Sequence, residues 1–474
     1  MRRERLQRVD NRVRPPRAAR SVRPQHANEQ VDVVHAVRGV RLRQAIRHVR
    51  LALAALAGAV AAASAAPVLA APVDIKVWRH DTGDLEMAAG RAAVERFNRA
   101  QSRWRVVVEA IPQGSYTESI TAASMVGQLP CVIALDQPTV PNFAWAGHIR
   151  PLDTLLPASA LDGLLEGGRG TYKGHVYSVG QLDVVLALFA RRSQLAALGV
   201  RVATMEHPYT ADEFHTILAL AKRSGKYRFP LDVNGRFKGE WYSYAFSPWL
   251  QSAGTDLIDR AGYVRVDGVL NSDQAVAVGR YYGRLFKEKL VERHPADDRA
   301  FEQGRSLFHY TGSWKAREYS AQFGADLVAM PPPDFGHGPK IGAASWQWGI
   351  TRSCAQAEGA AAFLAHLVSP AEIGAASRMT GLVPVTTAGA MLTEHYRPGG
   401  DWRTYFEFAQ RYAVARPATP AYPAMSSSFE KAMADIRSGK DAVEALDEAV
   451  EAIDNNIARN NGYGFTVRKA GDGT

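Results

Sequence analysis

The sequence predicts an α/β fold in which mixed, mainly parallel sheets are flanked by helices. Short apolar segments typical of strands alternate with helical patterns from about residue 74 onward, and this alternation is typical of parallel sheets covered on both faces. The composition is that of a globular protein, with 46% hydrophobic and 22% charged residues among 474. At about 150 residues per domain, the length allows two or three domains.

The first elements are three strands. Residues 74–78 (DIKVW), 104–110 (WRVVVEA) and 131–135 (CVIAL) are short apolar runs. Apolar residues between positions 85 and 97 recur at helical spacing, which predicts a helix between the first two strands. Residues 79–84 (RHDTGD) are expected to form a loop after the first strand.

A hairpin and a second group of elements follow. Residues 172–179 predict a hairpin that turns at Lys173 and Gly174, and residues 184–190 (VVLALFA) predict a strand. Helix-capping residues then mark a mostly helical region. The further elements are a helix after the Thr210–Glu213 capping box, a helix opened by Asn271 and Gln274, strands at 325–330 and ending at 349–352, a helix from Gln356, a helix capped by Ser369, and a last helix over 442–457.

The net positive charge is confined to the N-terminus. The chain has 57 Lys and Arg against 47 Asp and Glu. Residues 1–50 contain 14 Arg and 4 acidic residues, and residues 51–70 carry no charge, so residues 71–474 hold 43 basic and 43 acidic residues. Because this body is neutral, no nucleic acid partner is expected.

Residues 1–70 are predicted to be a leader. A basic stretch precedes a short apolar run at 51–66 (LALAALAGAVAAASAA), and small residues follow at 68–70. This order is typical of a secretory signal peptide, placed at about 37–70, after an over-extended start. The mature protein is then expected to begin near Ala71 in the periplasm; a permanent N-terminal anchor is the alternative.

The chain has only two cysteines, Cys131 and Cys354. In an oxidising compartment they can form one disulfide, and two separate buried thiols are equally consistent with the sequence. Ligand spacings of the C-x-x-C type do not occur, so neither a metal nor a cofactor is expected.

Several segments occur in an order that resembles a known family. They are GQLPCVIALD at 127–136, GHVYSVGQLDVVLALFARRSQLAALGV at 174–200, GRSLFHYTGSWKA at 304–316, ASWQWGI at 344–350 and GLVPV at 381–385. Over residues 72–460 the chain is similar to the extracellular solute-binding proteins of bacterial ABC importers, the carbohydrate-binding family that includes maltose-binding protein. The chain departs from the family at Cys131, where Asp is usual, and at 189–191, where Tyr-Asn-Lys is frequent.

The resemblance implies a type II periplasmic-binding-protein fold of two lobes with the ligand cleft between them. The implied N-terminal lobe comprises residues 72–182 and 325–385, and the implied C-terminal lobe comprises residues 186–322 and 386–474. Hinges are expected near residues 181–185, 323–325 and 384–387.

The resemblance also implies the function of a periplasmic receptor. Such a protein binds a mono- or oligosaccharide as a monomer and delivers it to an ABC transporter permease in the inner membrane. No enzymatic activity is expected, and the sequence contains no G-x-S-x-G, Walker A, G-x-G-x-x-G or H-E-x-x-H motif. The alternatives are a glycerol-phosphate or polyol receptor of the same family, and a secreted glycoside hydrolase, which would also use aromatic residues and paired carboxylates.

Aromatic residues are candidates for stacking on the apolar C–H faces of a sugar. Trp314, in the segment YTGSW, matches a family position where an aromatic ring stacks on the ligand, and Gly312 beside it opens the backbone. Trp249, Trp346 and Tyr116 are further aromatic candidates.

Polar candidates for sugar hydroxyls follow the strands, because open α/β sheets bind ligands at the carboxyl ends of their strands. They are Arg79, His80 and Asp81 after the first strand, Asp136 and Gln137 after the third, and Asp183 before the crossover strand. Asp183 also aligns with a family acid that contacts sugar, and Arg79 with His80 could hold a phosphate if the ligand is anionic.

Overall fold

The computed structural model describes residues 71–343 and 345–465, so the predicted leader lies outside the described residues. The strands are β1 (Val73–Asp81), β2 (Trp104–Pro112), β3 (Val132–Asp136), β4 (Arg169–Tyr172), β5 (His175–Val179), β6 (Leu182–Asp183), β7 (Leu186–Arg191), β8 (Leu231–Asp232), β9 (Phe308–Gly312), β10 (Leu327–Met330), β11 (Ile341–Ala343), β12 (Trp346–Ile350), β13 (Val383–Pro384) and β14 (Ala413–Ala415). The helices are α1 (Asp84–Ala100), α2 (Gln113–Met125), α3 (Val140–Trp145), α4 (Ala158–Leu161), α5 (Arg192–Ala197), α6 (Ala211–Arg223), α7 (Glu240–Ser252), α8 (Asp273–Lys287), α9 (Ala316–Phe323), α10 (Ala357–Leu367), α11 (Pro370–Thr380), α12 (Thr387–Met391), α13 (Arg403–Arg411), α14 (Tyr422–Ser438) and α15 (Ala442–Arg459).

The first sheet has six strands in the order β2-β1-β3-β12-β5-β4. β1 is parallel to β2 and β3, whereas β12 is antiparallel to β3 and β5. β1 extends three residues beyond the predicted strand, because β2 pairs with it as far as Asp81. Arg79, His80 and Asp81 therefore belong to a strand and not to the predicted loop.

Helices cover the first sheet and build its core. Phe97 of α1 contacts Phe363 of α10 with ring centroids 5.4 Å apart, among buried residues of β1 and β3. The predicted hairpin is confirmed as β4 and β5, and Lys173 and Gly174 at its turn have φ angles of 48° and 82°. Glycine adopts such a left-handed conformation without the steric cost that other residues carry.

The second sheet has four strands in the order β10-β7-β9-β8. β10 is antiparallel to β7, although the resemblance to the family implies that residues 325–385 belong to the N-terminal lobe. That boundary needs correction, because Val328 and Met330 of β10 pack into the core of the second sheet. An apolar strand has the same pattern in either lobe, so the sequence could not assign it.

Two short pairings lie where the chain passes between the sheets. β6 pairs with β13, at two of the predicted hinges, and β11 pairs with β14. The third passage lies between β11 and β12. The predicted hinge at 323–325 instead covers the last residue of α9 and the start of the 3-10 turn Gly324–Asp326.

Two of the predicted capping residues lie at the starts of helices as expected, and a third cap lies one residue from the predicted position. The Thr210 hydroxyl accepts from the Glu213 backbone N–H at 3.1 Å, as a capping box requires. Ser369 accepts from the Glu372 N–H at the start of α11. The cap of α8 is Ser272, one residue after the predicted Asn271.

Cys131 and Cys354 form a disulfide, which resolves the alternative that the sequence left open. The bond joins the residue before β3 to the segment after β12.

Among the described residues, no group of three or more His, Cys, Asp or Glu could hold a metal ion. Within the same residues no single helix is long and apolar enough to cross a membrane; the bent pair α10 and α11 passes that test only when the two are taken together.

Candidate ligand-binding cleft

A cavity of about 380 Å³ lies between the two sheets, and we call it the cleft. The end of the first sheet forms one wall, and α7 with the turn after β9 forms the other. The residues that line the cleft are Asp136, Val184, Phe237, Lys238, Glu240, Trp241, Tyr244, Trp314, Ser345, Trp346 and Arg416.

The first wall places one carboxylate beside one indole. Asp136 is the last residue of β3 and Trp346 is the first residue of β12. These two residues are direct partners in the antiparallel pairing of β3 with β12. The carboxyl end of β3 thus presents both groups at the same edge of the sheet, where ligands bind in open α/β sheets.

The second wall carries Trp314 on the turn after β9, next to Gly312. A side-chain carbon added at Gly312 would lie 1.8 Å from the Trp314 ring, so only glycine leaves room for the indole here. The Trp314 ring lies 6.2 Å from Trp241 and 6.4 Å from Tyr244, measured between centroids. Trp241 and Tyr244 are almost fully buried, whereas Trp314 is partly exposed. The buried rings therefore support Trp314, which offers a flat apolar surface to the cleft.

A buried arginine connects the two walls. The Arg416 guanidinium lies 2.6 Å from the Glu240 carboxylate and 3.4 Å from the Asp136 carboxylate. The Arg416 side chain is 3% exposed. Glu240 also accepts hydrogen bonds from Ser426, at 2.7 Å, and from the Tyr422 hydroxyl. The two carboxylates of this group are therefore both paired with the Arg416 charge.

The charges of the cleft balance. Burial, together with the nearby Glu240 carboxylate, raises the pKa of Asp136 to about 6, although Arg416 opposes the shift. Burial alone would lower the pKa of Arg416, but the Asp136 and Glu240 carboxylates raise it above its ordinary value. Lys238 is the second cation of the lining and is exposed. The lining thus contains two carboxylates and two cations.

A stack of buried rings lies behind Trp346. The His80 ring lies 3.6 Å from the Trp346 ring and nearly parallel to it, and Tyr116 meets Trp346 edge-on at 5.6 Å. The Tyr116 hydroxyl donates to backbone carbonyls of β1 and β3. Burial, with the adjacent Arg79 charge, lowers the pKa of His80 to about 3, so His80 is neutral at physiological pH. His80 and Tyr116 support Trp346 and do not line the cleft.

Four predicted polar residues also lie outside the cleft lining. Asp183 is 2% exposed in β6, and its carboxylate accepts from the Val184 backbone N–H at 2.8 Å. Gln137 is buried in the turn after β3, and Asp81 is exposed at the end of β1. Arg79 is buried against α1.

Trp249 is a core residue, which corrects its assignment to the site. It lies inside α7, is 1% exposed and stacks on Phe335 at 5.3 Å. The sequence places Trp249 near a loop because Pro248 precedes it, but α7 continues through Pro248. Packing on the core outweighs the usual helix-breaking effect of proline here.

Sequence reasoning did not select Glu240, Arg416, Trp241 or Tyr244 as site residues. Arg416 and Asp136 are 280 positions apart, and a single sequence gives no sign of such a pairing. The sequence signal for these residues is the first turn of α7, where Glu240 precedes Trp241 and Tyr244. The spacing of Trp241 and Tyr244 places both rings on the same face of the helix.

Several solved structures share this architecture. The cyclic α-maltosyl-1,6-maltose binding protein of Arthrobacter globiformis is 22% identical with a TM-score of 0.70, over 82% of this chain and 100% of that one. The GacH receptor of Streptomyces glaucescens is 21% identical with a TM-score of 0.68, over 80% and 97%. The maltose/maltodextrin-binding domain of Bdellovibrio bacteriovorus is 17% identical with a TM-score of 0.66, over 81% and 100%. These likenesses confirm the type II periplasmic-binding-protein fold.

The sequence itself gives the family. None of the curated protein sequences matches this chain. The family described as bacterial extracellular solute-binding protein matches residues 92–394, which is more than half of the chain. The resemblance drawn from the order of the segments is thereby confirmed, and the chain belongs to the bacterial extracellular solute-binding protein family.

Proposed function

We propose that this protein is the exported receptor of an ABC importer, that it binds an uncharged mono- or oligosaccharide in the cleft, and that it delivers the sugar to a membrane permease. The observation that carries the proposal is the pair of partly exposed indoles, Trp314 and Trp346, one on each wall beside the Asp136–Arg416 ion pair.

This arrangement suits the two kinds of surface on a sugar. The C–H faces of a pyranose ring are apolar and pack against indole rings. The hydroxyl groups both donate and accept, so they can bond to the carboxylates of Asp136 and Glu240 and to Lys238. A cleft that offers both on two walls can hold a sugar from both sides.

The balance of charge favours a neutral sugar over a glycerol phosphate. Asp136 and Glu240 match the cationic charges of Arg416 and Lys238, so the lining has no excess positive charge for a phosphate dianion. Arg79 and His80, the two residues that could hold a phosphate, do not line the cleft.

The same contacts favour binding over glycoside hydrolysis. A hydrolase needs one carboxyl group that gives its proton to the leaving oxygen and a second that acts as nucleophile or base. In this cleft the carboxylates of Asp136 and Glu240 both contact the Arg416 guanidinium, so both are engaged with a cation of the protein and neither is free to act on a glycosidic bond. We therefore expect the protein to release the ligand chemically unchanged.

The known ligands of structural neighbours agree with this proposal. The Arthrobacter protein binds cyclic α-maltosyl-1,6-maltose, the Streptomyces receptor forms a complex with acarbose, and the Bdellovibrio domain is bound to maltotriose. All three are carbohydrates with several sugar-like rings, so oligosaccharides should be tested first in a ligand screen.

Three observations support a periplasmic location. The family is extracellular, residues 37–70 have the pattern of a signal peptide, and the Cys131–Cys354 disulfide suits an oxidising compartment. Delivery to an inner-membrane permease is part of the proposal because the family serves importers.

A thermal-shift screen of sugars, polyols and glycerol phosphates tests the proposal. We expect at least one neutral saccharide to raise the melting temperature, as a ligand that binds only the folded state must, and chromatography to recover that saccharide intact. A shift by phosphate esters alone, or cleavage of the saccharide, would overturn the proposal.

A further inference from the structure

A second cavity lies on the first sheet, between this sheet, α1 and α10. Its volume is about 240 Å³, and apolar side chains dominate its lining, among them Val77, Met87, Val94, Trp348 and Phe363. It shares no lining residue with the cleft. The exposed side chains of Arg91 and Glu95 also line it, so the cavity reaches the protein surface.

One buried cation, Arg79, lines this apolar cavity. Arg79 is 8% exposed, and no Asp or Glu of the described residues forms an ion pair with it. Glu86 and Asp81 act on it only through space, and burial lowers the pKa of Arg79. A buried guanidinium without a carboxylate partner is unfavourable, because its desolvation is not offset.

The hydrogen bonds of Arg79 leave donors available for a ligand. A guanidinium has five N–H donors. In the described part of the chain three of them bond, all to uncharged oxygens: Nε to the His80 carbonyl at 3.3 Å, Nη1 to the Glu86 carbonyl at 3.5 Å, and Nη2 to the Thr82 hydroxyl at 3.2 Å. One N–H therefore remains on each terminal nitrogen, and the two oxygens of a carboxylate accept from such a pair.

Gly90 positions this guanidinium. A side-chain carbon at Gly90 would lie 2.1 Å from Arg79 Nη1, so α1 can take the charged group against its backbone only because residue 90 has no side chain. The guanidinium carbon also lies 5.9 Å from the centre of the Trp348 ring, beside the apolar lining.

From this geometry we propose that the cavity is a second ligand site, which binds a small organic anion through its carboxylate on Arg79 and its apolar part against Trp348 and Phe363. The site goes beyond sugar binding and does not depend on it. At about 240 Å³ it is smaller than ordinary ligand pockets of about 300–1,000 Å³, so the ligand is compact.

Calorimetry with benzoate as the probe and benzamide as its neutral match tests the proposal. We expect benzoate to bind the wild-type protein at least about tenfold more tightly than benzamide, which is the effect of one charge-assisted hydrogen bond. Arg79→Met should lower the benzoate affinity by a similar factor. Equal binding of benzoate and benzamide, no heat with benzoate, or unchanged affinity in Arg79→Met would overturn the proposal.

Two further variants keep the outcomes separate. If Arg79→Met does not fold, Arg79→Lys, which keeps the charge but loses the forked donors, should still weaken benzoate binding. Trp314→Ala, which acts on the cleft, should leave benzoate binding unchanged even if the protein binds no sugar. Displacement of benzoate by a saccharide would place benzoate in the cleft and contradict a second site.

Discussion

At the scale of the residue, Gly312 decides where the Trp314 indole lies. The ring occupies the space that a side chain at position 312 would need. The sequence shows glycine beside tryptophan, and this neighbourhood, together with the family position that Trp314 matches, predicts Trp314 as a site residue. The sequence does not show that Trp241 and Tyr244 support the ring, because they lie some seventy positions away along the chain, on α7.

We predict that Gly312→Ala weakens saccharide binding. The added methyl group must displace the indole, and the loss of stacking should cost about 0.5–1.5 kcal/mol of binding free energy. Calorimetry measures it, with Gly163→Ala as the matched control, since a side-chain carbon at Gly163 meets nothing within 4 Å. Equal affinities of the two variants would contradict the role of Gly312.

The raised pKa of Asp136 predicts a pH dependence of stability. Its folded-state pKa of about 6 lies above the unfolded value of about 3.9, so its contribution to the free energy of unfolding is complete below pH ~4 and is lost as the pH rises through ~6. Asp136→Asn should therefore gain stability relative to the wild type between pH 4 and pH 7. Denaturant unfolding at several pH values measures this difference, and a constant or falling difference would refute the account of Asp136.

At the scale of the element, local sequence patterns predict the positions of most strands and helices. The sheet that a strand joins and the residues that meet in the site depend on pairing between distant parts of the chain. The caps of α6 and α11 could be predicted because a capping box is complete within four residues. β10 could not be assigned to a lobe, since its partner β7 is far away in the chain. The same limit explains the site: Asp136 and Trp346 end or begin strands and could be predicted, but Arg416 and Glu240 come together only through the fold.

The Cys131–Cys354 disulfide links the residue before β3 to the segment after β12 in the first sheet. We predict that the double substitution of Cys131 and Cys354 by Ala lowers the free energy of unfolding by about 2–5 kcal/mol, as for other native disulfides. Sugar affinity should stay unchanged, because Cys131 precedes β3 and Asp136 lies at its other end. Urea unfolding with parallel calorimetry tests this; unaltered stability, or a loss of affinity, would disagree.

At the scale of the whole molecule, the elements around both sheets supply the residues that line the cleft. The paired strands β6 and β13 lie where the chain crosses between the two sheets. A ligand that contacts both walls stabilises the state in which the walls are close, so binding shifts the population towards that state. The predicted hinges at 181–185 and 384–387 coincide with this paired crossover, and movement about it remains a prediction.

Small-angle scattering tests that movement. We predict that a saccharide which raises the melting temperature also lowers the radius of gyration, since closure brings the lobes together. Glycerol 3-phosphate, which the balanced cleft does not favour, serves as the control. An unchanged radius of gyration at saturating saccharide would show that binding does not close the lobes.

The central claim is that indole surfaces in the cleft hold an uncharged sugar, and titration calorimetry of Trp314→Ala tests it most directly. With the saccharide that gives the largest thermal shift, we predict that this variant loses about 1–3 kcal/mol of binding free energy relative to the wild type. Trp145→Ala, at a 43% exposed tryptophan outside the cleft, should bind like the wild type. An unchanged affinity in Trp314→Ala, or an equal loss in Trp145→Ala, would contradict the account.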